Sequence, residues 1–460
     1  MRSQDIKAVH EAGLSILERT GVVVRHDEAR ALLGRHGFAV DGERVRLPSE
    51  KVADLIESTP RSFILRGRGA HPALAFGEGL IVAATGGASF VLEGLDLRRG
   101  TETDLIHLVK VMHRSRNIDM VAFAVEPQDL PLGHRNLRAL HALLTLSDKP
   151  VTFPGFDPRL AEAARGTAEI LWGADWDDEP RLLVVANTQS PLVLQPETCT
   201  VILEMAGRGQ PVCVTPCVMG GSTGPATMAG ILALQHAEAL AGLVLTQCVR
   251  PGAPFLYGGT SSVTSMLTGD LLFGVPQYWA IMCATVQIAH YLGLPCRAGG
   301  GLTDAHVPDM QAGIEAAMGL AAVARSGVDF VLHGTGTISS INAVSFEKLI
   351  IDEELIGMIR ARNLPIEVDD DTLALDAVDS VGPGGSYMLQ PHTVAHCRDY
   401  TRPTFFNRRR HAIWREQGGK DVSVAARARF WELVERYQPP DLDETTRRQL
   451  DRYLLEGTKA

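Results

Sequence analysis

Hydrophobic positions fall into three textures along the chain. In residues 1–78 they recur at helical spacing over Ile6–Thr20 and Glu28–His36, then alternate across Phe38–Leu47 around Asp41-Gly42, a hairpin signal. From 79 to 362, short apolar runs alternate with long Ala- and Leu-rich stretches of helical period. The runs are Ile81–Ala84, Met120–Val125, Val151–Phe156, Leu182–Ala186, Val212–Thr215, Phe255–Tyr257, Cys296–Ala298 and Phe330–Leu332. Helices are expected over Leu105–His113, Leu137–Leu146, Ala161–Leu171, Glu197–Ala206, Ala226–Val249, Trp279–Leu292, Gln311–Arg325 and Phe346–Arg360. From Asn363 to residue 460 charged helical sequence with loops returns. Alternating strand and helix calls for a parallel sheet with right-handed crossovers. Eight such units in about 280 residues predict an α/β fold, a (β/α)8 TIM barrel over 79–362 with mainly helical appendages at 1–78 and 363–460. No run is followed by GxGxxG opening a helix, and GxxxxGK[ST] is absent, so Rossmann and P-loop readings lose their support.

In such a barrel the residues just after each strand form the face that carries the chemistry. Here those ends are polar and glycine-rich, among them Thr85-Gly86-Gly87, Pro154-Gly155-Phe156, Asn187–Pro191, Pro216-Cys217, Arg297–Gly301 and His333–Gly336. Arg297 and His333 sit where barrels commonly capture anions, with Gly299, Gly300, Gly334 and Gly336 as candidate backbone donors. The same pattern suits a salt bridge from Arg297 to Asp304 or Asp329, with the glycines serving turns alone. Asn187 suits a polar substrate group or, as the pattern favours, a helix cap. Asp304 and His306 offer an acid–base pair, but a cap on the helix expected from Pro308 is the preferred reading for Asp304. Glu347 and Asp352-Glu353-Glu354 are expected on a solvated helix face.

Composition removes several classes. Apolar residues at 45% and charged residues at 21% are those of a folded globular chain. Lys+Arg 44 against Asp+Glu 54 gives a net charge of −10, the wrong sign for gripping nucleic acid. The start MRSQDIKAVHEAG has no signal-peptide core, and the apolar stretch Ile231–Val249 carries His, Glu and Gln, as buried helices do and membrane spans rarely do. The 7 cysteines lie mostly in apolar settings and point to reduced thiols in a cytoplasm. Metal signatures are weak. His392-Thr-Val-Ala-His396, beside Cys397, has ligand spacing without the Glu of HExxH, and Cys213 and Cys217 match no zinc ribbon. No metal is expected, and no GxSxG elbow is present.

Several longer strings resemble the trimethylamine methyltransferase superfamily: VVANTQSPL (184–192), TPCVMGGSTGPATMAG (215–230), GGGLTDAHVPDMQAGIEAA (299–317), GVDFVLHGTGTISSINAVSFEKLIIDEELIGMI (327–359), VDSVGPGGSYMLQPHT (378–393) and FFNRRRHAIWREQGGKD (405–421). With HEAGLSILERTGVVV near the start, the similarity runs nearly end to end in the family's order. The resemblance implies a cytoplasmic barrel enzyme that passes a methyl group from a methylated amine to cob(I)alamin. The cobalamin is carried by a separate corrinoid protein docking on the C-terminal barrel face. The founding members contain pyrrolysine. This chain reads through with ordinary residues, which is similar to the branch acting on quaternary amines such as glycine betaine, proline betaine or carnitine.

In that branch an Arg after strand seven and a His after strand eight hold the substrate carboxylate, which would be Arg297 and His333; Asn187 becomes a substrate contact. A trimethylammonium group wants aromatic faces, and Phe153, Phe156, Tyr257 and Phe346 lie near strand ends. No general acid is needed, because the amine that leaves a quaternary nitrogen already has its full set of substituents. Two rivals remain at this stage: a barrel lyase or aldolase binding phosphate at Arg297 and His333, and a sensor homologue that binds without turnover. A homo-oligomer is expected, as for barrels with sizeable appendages.

Overall fold

A computed structural model describes residues 1–69, 71–362, 364–399 and 405–456; the expected boundary residue Asn363 and the chain end at 457–460 lie outside the described residues. The fold is mixed α/β. The third to sixth central strands, Val151–Pro154, Leu182–Ala186, Val212–Val214 and Phe255–Tyr257, form one parallel ladder. Arg297–Gly299 pairs in parallel with Phe330–Leu332, which pairs in turn with Ile81–Val82 at the chain's first unit. Single parallel bridges join these ladders: Tyr257 to Cys296, Ala83 to Met120, and Val121 to Val151.

The second run, expected as a strand over Met120–Val125, makes isolated bridges instead of a ladder. At its start the Asp119 carboxylate takes the Val82 N–H at 2.7 Å, and further on its carbonyls serve the loop, with Gly87 N–H donating to Phe123 O. Strand alternation then sorts the side chains. Ile81, Ala83, Met120, Leu183, Val185, Cys213, Leu256, Phe330 and Leu332 share one buried cluster, distinct from the main core between strands and helices. An unpredicted hairpin, Phe63–Leu65 with Leu74–Phe76, closes that inner cluster. Phe63 stacks on Phe76 at 4.5 Å, and Phe76 meets Phe330 at 5.8 Å.

All the expected helices form, most of them longer by a turn or less. Thr227 caps Met228–Val249 and Asp309 caps Met310–Arg325 through side-chain bonds to Gly230 and Ala312 N–H. Met228–Val249 is long and apolar enough to cross a membrane, yet 78% of its apolar window is buried inside the fold, as a core helix is. The N-terminal segment is stitched to the centre. Val22–Val24 pairs in parallel with Val193–Leu194 and antiparallel with Arg44–Arg46, and the expected hairpin turns at Gly42-Glu43, Gly42 having φ +59°.

The helix after the eighth strand, Phe346–Arg362, corrects an expectation. Glu347, Lys348, Asp352 and Glu354 are buried: Glu347 lies under the C-terminal helix Val422–Glu435, where Arg427 pairs with it, Glu354 accepts the Phe405 N–H, and Lys348 and Asp352 face the loops after the strands. Lys348 Nζ bonds Asp352 at 2.6 Å and the Gly301 carbonyl at 2.9 Å. Asp352 also takes the Gly336 N–H at 2.9 Å. This buried pair therefore anchors the loops that follow strands seven and eight.

Candidate functional site

A cavity of about 420 Å³ is lined by side chains from the ends of all eight central segments. Gly86 and Gly87 come from the first, Phe123 from the second, Phe153 and Phe156 from the third, and Asn187 from the fourth; Cys217, Thr260, Arg297 and His333 follow from the fifth to the eighth. A larger groove, near Arg159 and Tyr453, mixes exposed charged groups with the buried Ala163 and Leu454, and the Arg159 side chain is 59% exposed.

Arg297 is 1% exposed, and its guanidinium donates to the Gly259 carbonyl at 2.7 Å and to Thr260 Oγ1. Its Nε has no partner. Among the described residues no carboxylate pairs with it. Asp304 instead accepts from Phe273 N–H, Gly274 N–H and Ser340, and Asp329 accepts from Cys296 N–H at 2.8 Å. The salt-bridge alternative is thereby removed, and burial lowers the guanidinium's affinity for its proton.

His333 is buried beside it with φ +61°, a left-handed conformation that costs a non-glycine residue energy. Its Nδ1 accepts the Gly86 N–H at 3.2 Å, so the neutral ring carries its proton on Nε2 as a donor. Burial, reinforced by Arg297, pushes its pKa down to about 3. The cavity loop also holds Ile341 at φ +76°, strained for a β-branched residue. Burial pushes the Cys217 thiol up to about 11, so it is a neutral wall rather than a nucleophile.

Asn187 reaches the cavity and caps no helix: the following helix, Pro196–Gly207, starts after Gln195 without a side-chain cap, and Asn187 supplies only its carbonyl to Thr198. Its loop is held by Glu238, which accepts from Thr188 Oγ1 at 2.5 Å, Ser190 Oγ at 2.8 Å and Leu192 N–H at 3.0 Å. Burial raises the Glu238 pKa.

Three sequence expectations are corrected here. Tyr257 does not line the cavity. Strand alternation turns Leu256 inward and Tyr257 outward, where its hydroxyl bonds His236 at 2.8 Å. Phe346 stacks on Phe430 at 4.3 Å, since its helix lies outside the strands. Gly299, Gly300, Gly334 and Gly336 are absent from the lining as well. A Cβ at Gly299 would meet Tyr278, at Gly300 Leu320, at Gly334 Val82, and Gly336 needs its φ of +79°. The Gly334 and Gly336 N–H groups are engaged by Ala83 O and Asp352. These glycines permit close packing. Sequence reasoning missed Phe123 and Glu238. The one carboxylate in the largely apolar helix Met228–Val249 was the available signal for the latter.

The chain belongs to the trimethylamine methyltransferase (MTTB) family, whose model matches residues 1–459. Within it, the chain is 34% identical to a glycine betaine methyltransferase of Desulfitobacterium hafniense, over 100% of this chain and 97% of the relative. It is 29% identical to a proline betaine:corrinoid methyltransferase of Eubacterium limosum, over 99% and 97%. Among solved structures, the hydroxylamine MtmB complex superposes with a TM-score of 0.50 at 11% identity, covering 98% of this chain and 88% of that one, a likeness of fold.

Proposed function

We propose that this chain is a methyltransferase that takes a methyl group from a carboxylated quaternary amine of the betaine type and delivers it to a corrinoid protein. One observation carries the reading: the cavity wall holds a single formal charge, Arg297, without a carboxylate partner among the described residues, together with the aromatic faces of Phe123, Phe153 and Phe156. A buried cation in search of an anion, with apolar rings for an ammonium group, is complementary to a zwitterion. A simple methylammonium ion would leave Arg297 unneutralised. The names of the glycine betaine and proline betaine relatives support the same class.

The pairings from the first strand round to the eighth and back support a (β/α)8 barrel with 1–78 and 363–460 as appendages, and the cavity then opens at its C-terminal end. The chemistry at the methyl group is supplied by cob(I)alamin, a strong nucleophile. The corrin macrocycle exceeds a cavity of about 420 Å³, in keeping with a cofactor presented at the mouth by a partner. Large apolar side chains in the segments after the strands suit docking there: Leu95 is 85% exposed, Leu132 71%, Leu267 95% and Met310 80%.

This chain's own work is positional. Arg297 and the His333 Nε2–H hold the carboxylate, Asn187 contacts the polar end, and Phe153 and Phe156 hold the ammonium with one methyl toward the mouth. The C–N bond breaks with its electron pair remaining on nitrogen, so a neutral amine leaves and no proton moves. A homo-oligomer and a cytoplasmic setting belong to the same reading. Ile366 and Leu389 are 91% and 92% exposed, and Cys199, Cys213, Cys217, Cys248, Cys283 and Cys296 form no disulfide.

The test is calorimetric titration with glycine betaine, proline betaine and trimethylamine, followed by addition of cob(I)alamin and its corrinoid protein while the spectrum is followed. Methyl transfer from a carboxylated amine and none from trimethylamine is expected. Equal binding of all three would discard the carboxylate assignment, and binding without transfer would favour a sensor.

A further inference from the structure

The strongest unused cluster lies on the surface of the C-terminal appendage, far along the chain from the cavity residues. The short helix Pro391–His396 places His392 and His396 one turn apart, with ring centroids separated by 4.4 Å. Asp371, on the helix Asp370–Leu373, faces both. Its carboxylate lies 3.2 Å from His396 Nε2, and its backbone carbonyl meets His392 Nε2 at 3.0 Å. One ligating atom from each of the three lies within 4.8 Å of the others.

The remaining ring nitrogens are disposed as metal binding requires. Asp399 Oδ2 lies 2.7 Å from His396 Nδ1 and Asp371 Oδ2 3.2 Å from Nε2, so a carboxylate faces each ring nitrogen, and a cation at Nε2 would take the place of the proton shared with Asp371 while Nδ1 keeps its bond to Asp399. A carboxylate behind an imidazole is the usual way a ligating histidine is oriented. His392 gives its Nε2 proton to a carbonyl, which can only accept, and so keeps Nδ1 as a lone pair. From this geometry we infer that His392, His396 and Asp371 form a binding site for a divalent cation of zinc type, with Asp399 as its outer carboxylate.

Two imidazoles and a carboxylate are a borderline-soft donor set suited to zinc. The Asp371 side chain is 76% exposed, which leaves a fourth position for water. The expectation of no metal was drawn from the missing Glu of HExxH, and a carboxylate from a separate helix lies outside that motif. A bound ion would join the two ends of segment 371–392, which carries the exposed Leu375, Met388 and Leu389. It would thereby act as a clasp on that segment. The inference is independent of the reading of the cavity. A second trio, His290, Cys296 and Asp329, also lies close together, but there Asp329 already accepts the Cys296 N–H and Cys296 is fully buried.

The full chain, stripped by chelator and dialysed, is titrated with zinc chloride at neutral pH, with bound metal counted by elemental analysis. One equivalent is expected, with micromolar or tighter affinity. His392→Ala/His396→Ala should abolish it, and Asp399→Asn should weaken it about tenfold. Zinc should slow proteolysis within 371–392 in the wild type and not in the double variant, whose folding is checked by circular dichroism. No bound zinc, an unchanged equivalent in the double variant, or its loss in Cys296→Ser would each overturn the assignment.

Discussion

Two buried cations stand on neighbouring walls of this molecule, and they are treated in opposite ways. Lys348, on the helix behind strand eight, is 1% exposed and has its carboxylate, Asp352, at 2.6 Å. Arg297, at the cavity, is equally buried and has a carbonyl, a hydroxyl and an unpartnered Nε, with no carboxylate among the described residues. Removing a cation from water costs several kcal/mol unless a charge partner and hydrogen bonds offset it. At Lys348 that offset is built in, and the product is a rigid anchor for Gly301 and Gly336. At Arg297 it is incomplete, and a ligand carboxylate can complete it. The contrast separates a group that holds the fold from one that waits for a ligand.

The largest expected effect breaks the structural side of the contrast. Lys348→Met strands Asp352 as a buried, unpaired charge and should cost about 3–5 kcal/mol of stability, read by urea unfolding. A loss below 1 kcal/mol would show that the pair anchors nothing. Next, Arg297→Met should leave stability unchanged or raise it, while weakening a carboxylated quaternary amine about 100-fold by calorimetry. A large loss of stability with no change in affinity would reverse the assignment.

Acid adds a further test, because one buried histidine lies at the cavity and another, His236, outside it beside Tyr257. His333 and His236 are pushed down to about 3 by burial, against an ordinary value of 6.5. Between those values the unfolded chain binds more protons than the folded one. Stability should therefore fall as pH drops from 6.5 toward 3, and His236→Gln should move the acid midpoint downward in a circular dichroism titration. Because folded His333 stays neutral through this range, ligand affinity should be flat from pH 5 to 8; a step near 6.5 would show that the ring is not held neutral. Smallest is Phe156→Ala, at the half-exposed edge of the cavity, which should weaken quaternary-amine binding about threefold, in the range of an exposed cation–π contact. Equal weakening of a neutral isostere would reduce Phe156 to packing.

Much of this was legible in the residues. The eight runs and their helices appear in their expected order, since helix period and apolar run length are local properties. Arg297, His333, Asn187, Phe153 and Phe156 line one cavity because the parallel strands that carry them end on the same side. What misled was direction. Tyr257 and Leu256 are neighbours in sequence, and only the strand's register turned one inward and the other toward His236. Glu347 looks solvated until Arg427 of helix Val422–Glu435 covers it, 80 residues on, and Asp352 until the Gly336 loop, 16 residues back, meets it. The hairpin Phe63–Leu65/Leu74–Phe76 left too little periodicity to be seen in advance.

By itself, then, the sequence determined the order of units, the family and the set of groups able to bind an anion or a cation, because these depend on local period and on side-chain chemistry. Which of those groups are paired, and which are left for a ligand, was decided by the tertiary structure alone. Lys348 meets Asp352 one helical turn away, whereas Arg297 meets only what the sixth strand's loop brings to it, the Gly259 carbonyl and Thr260. The energy of a buried charge is set by its nearest partners in space: helical spacing alone puts Asp352 within reach of Lys348, but no local pattern connects Arg297 to Gly259 and Thr260.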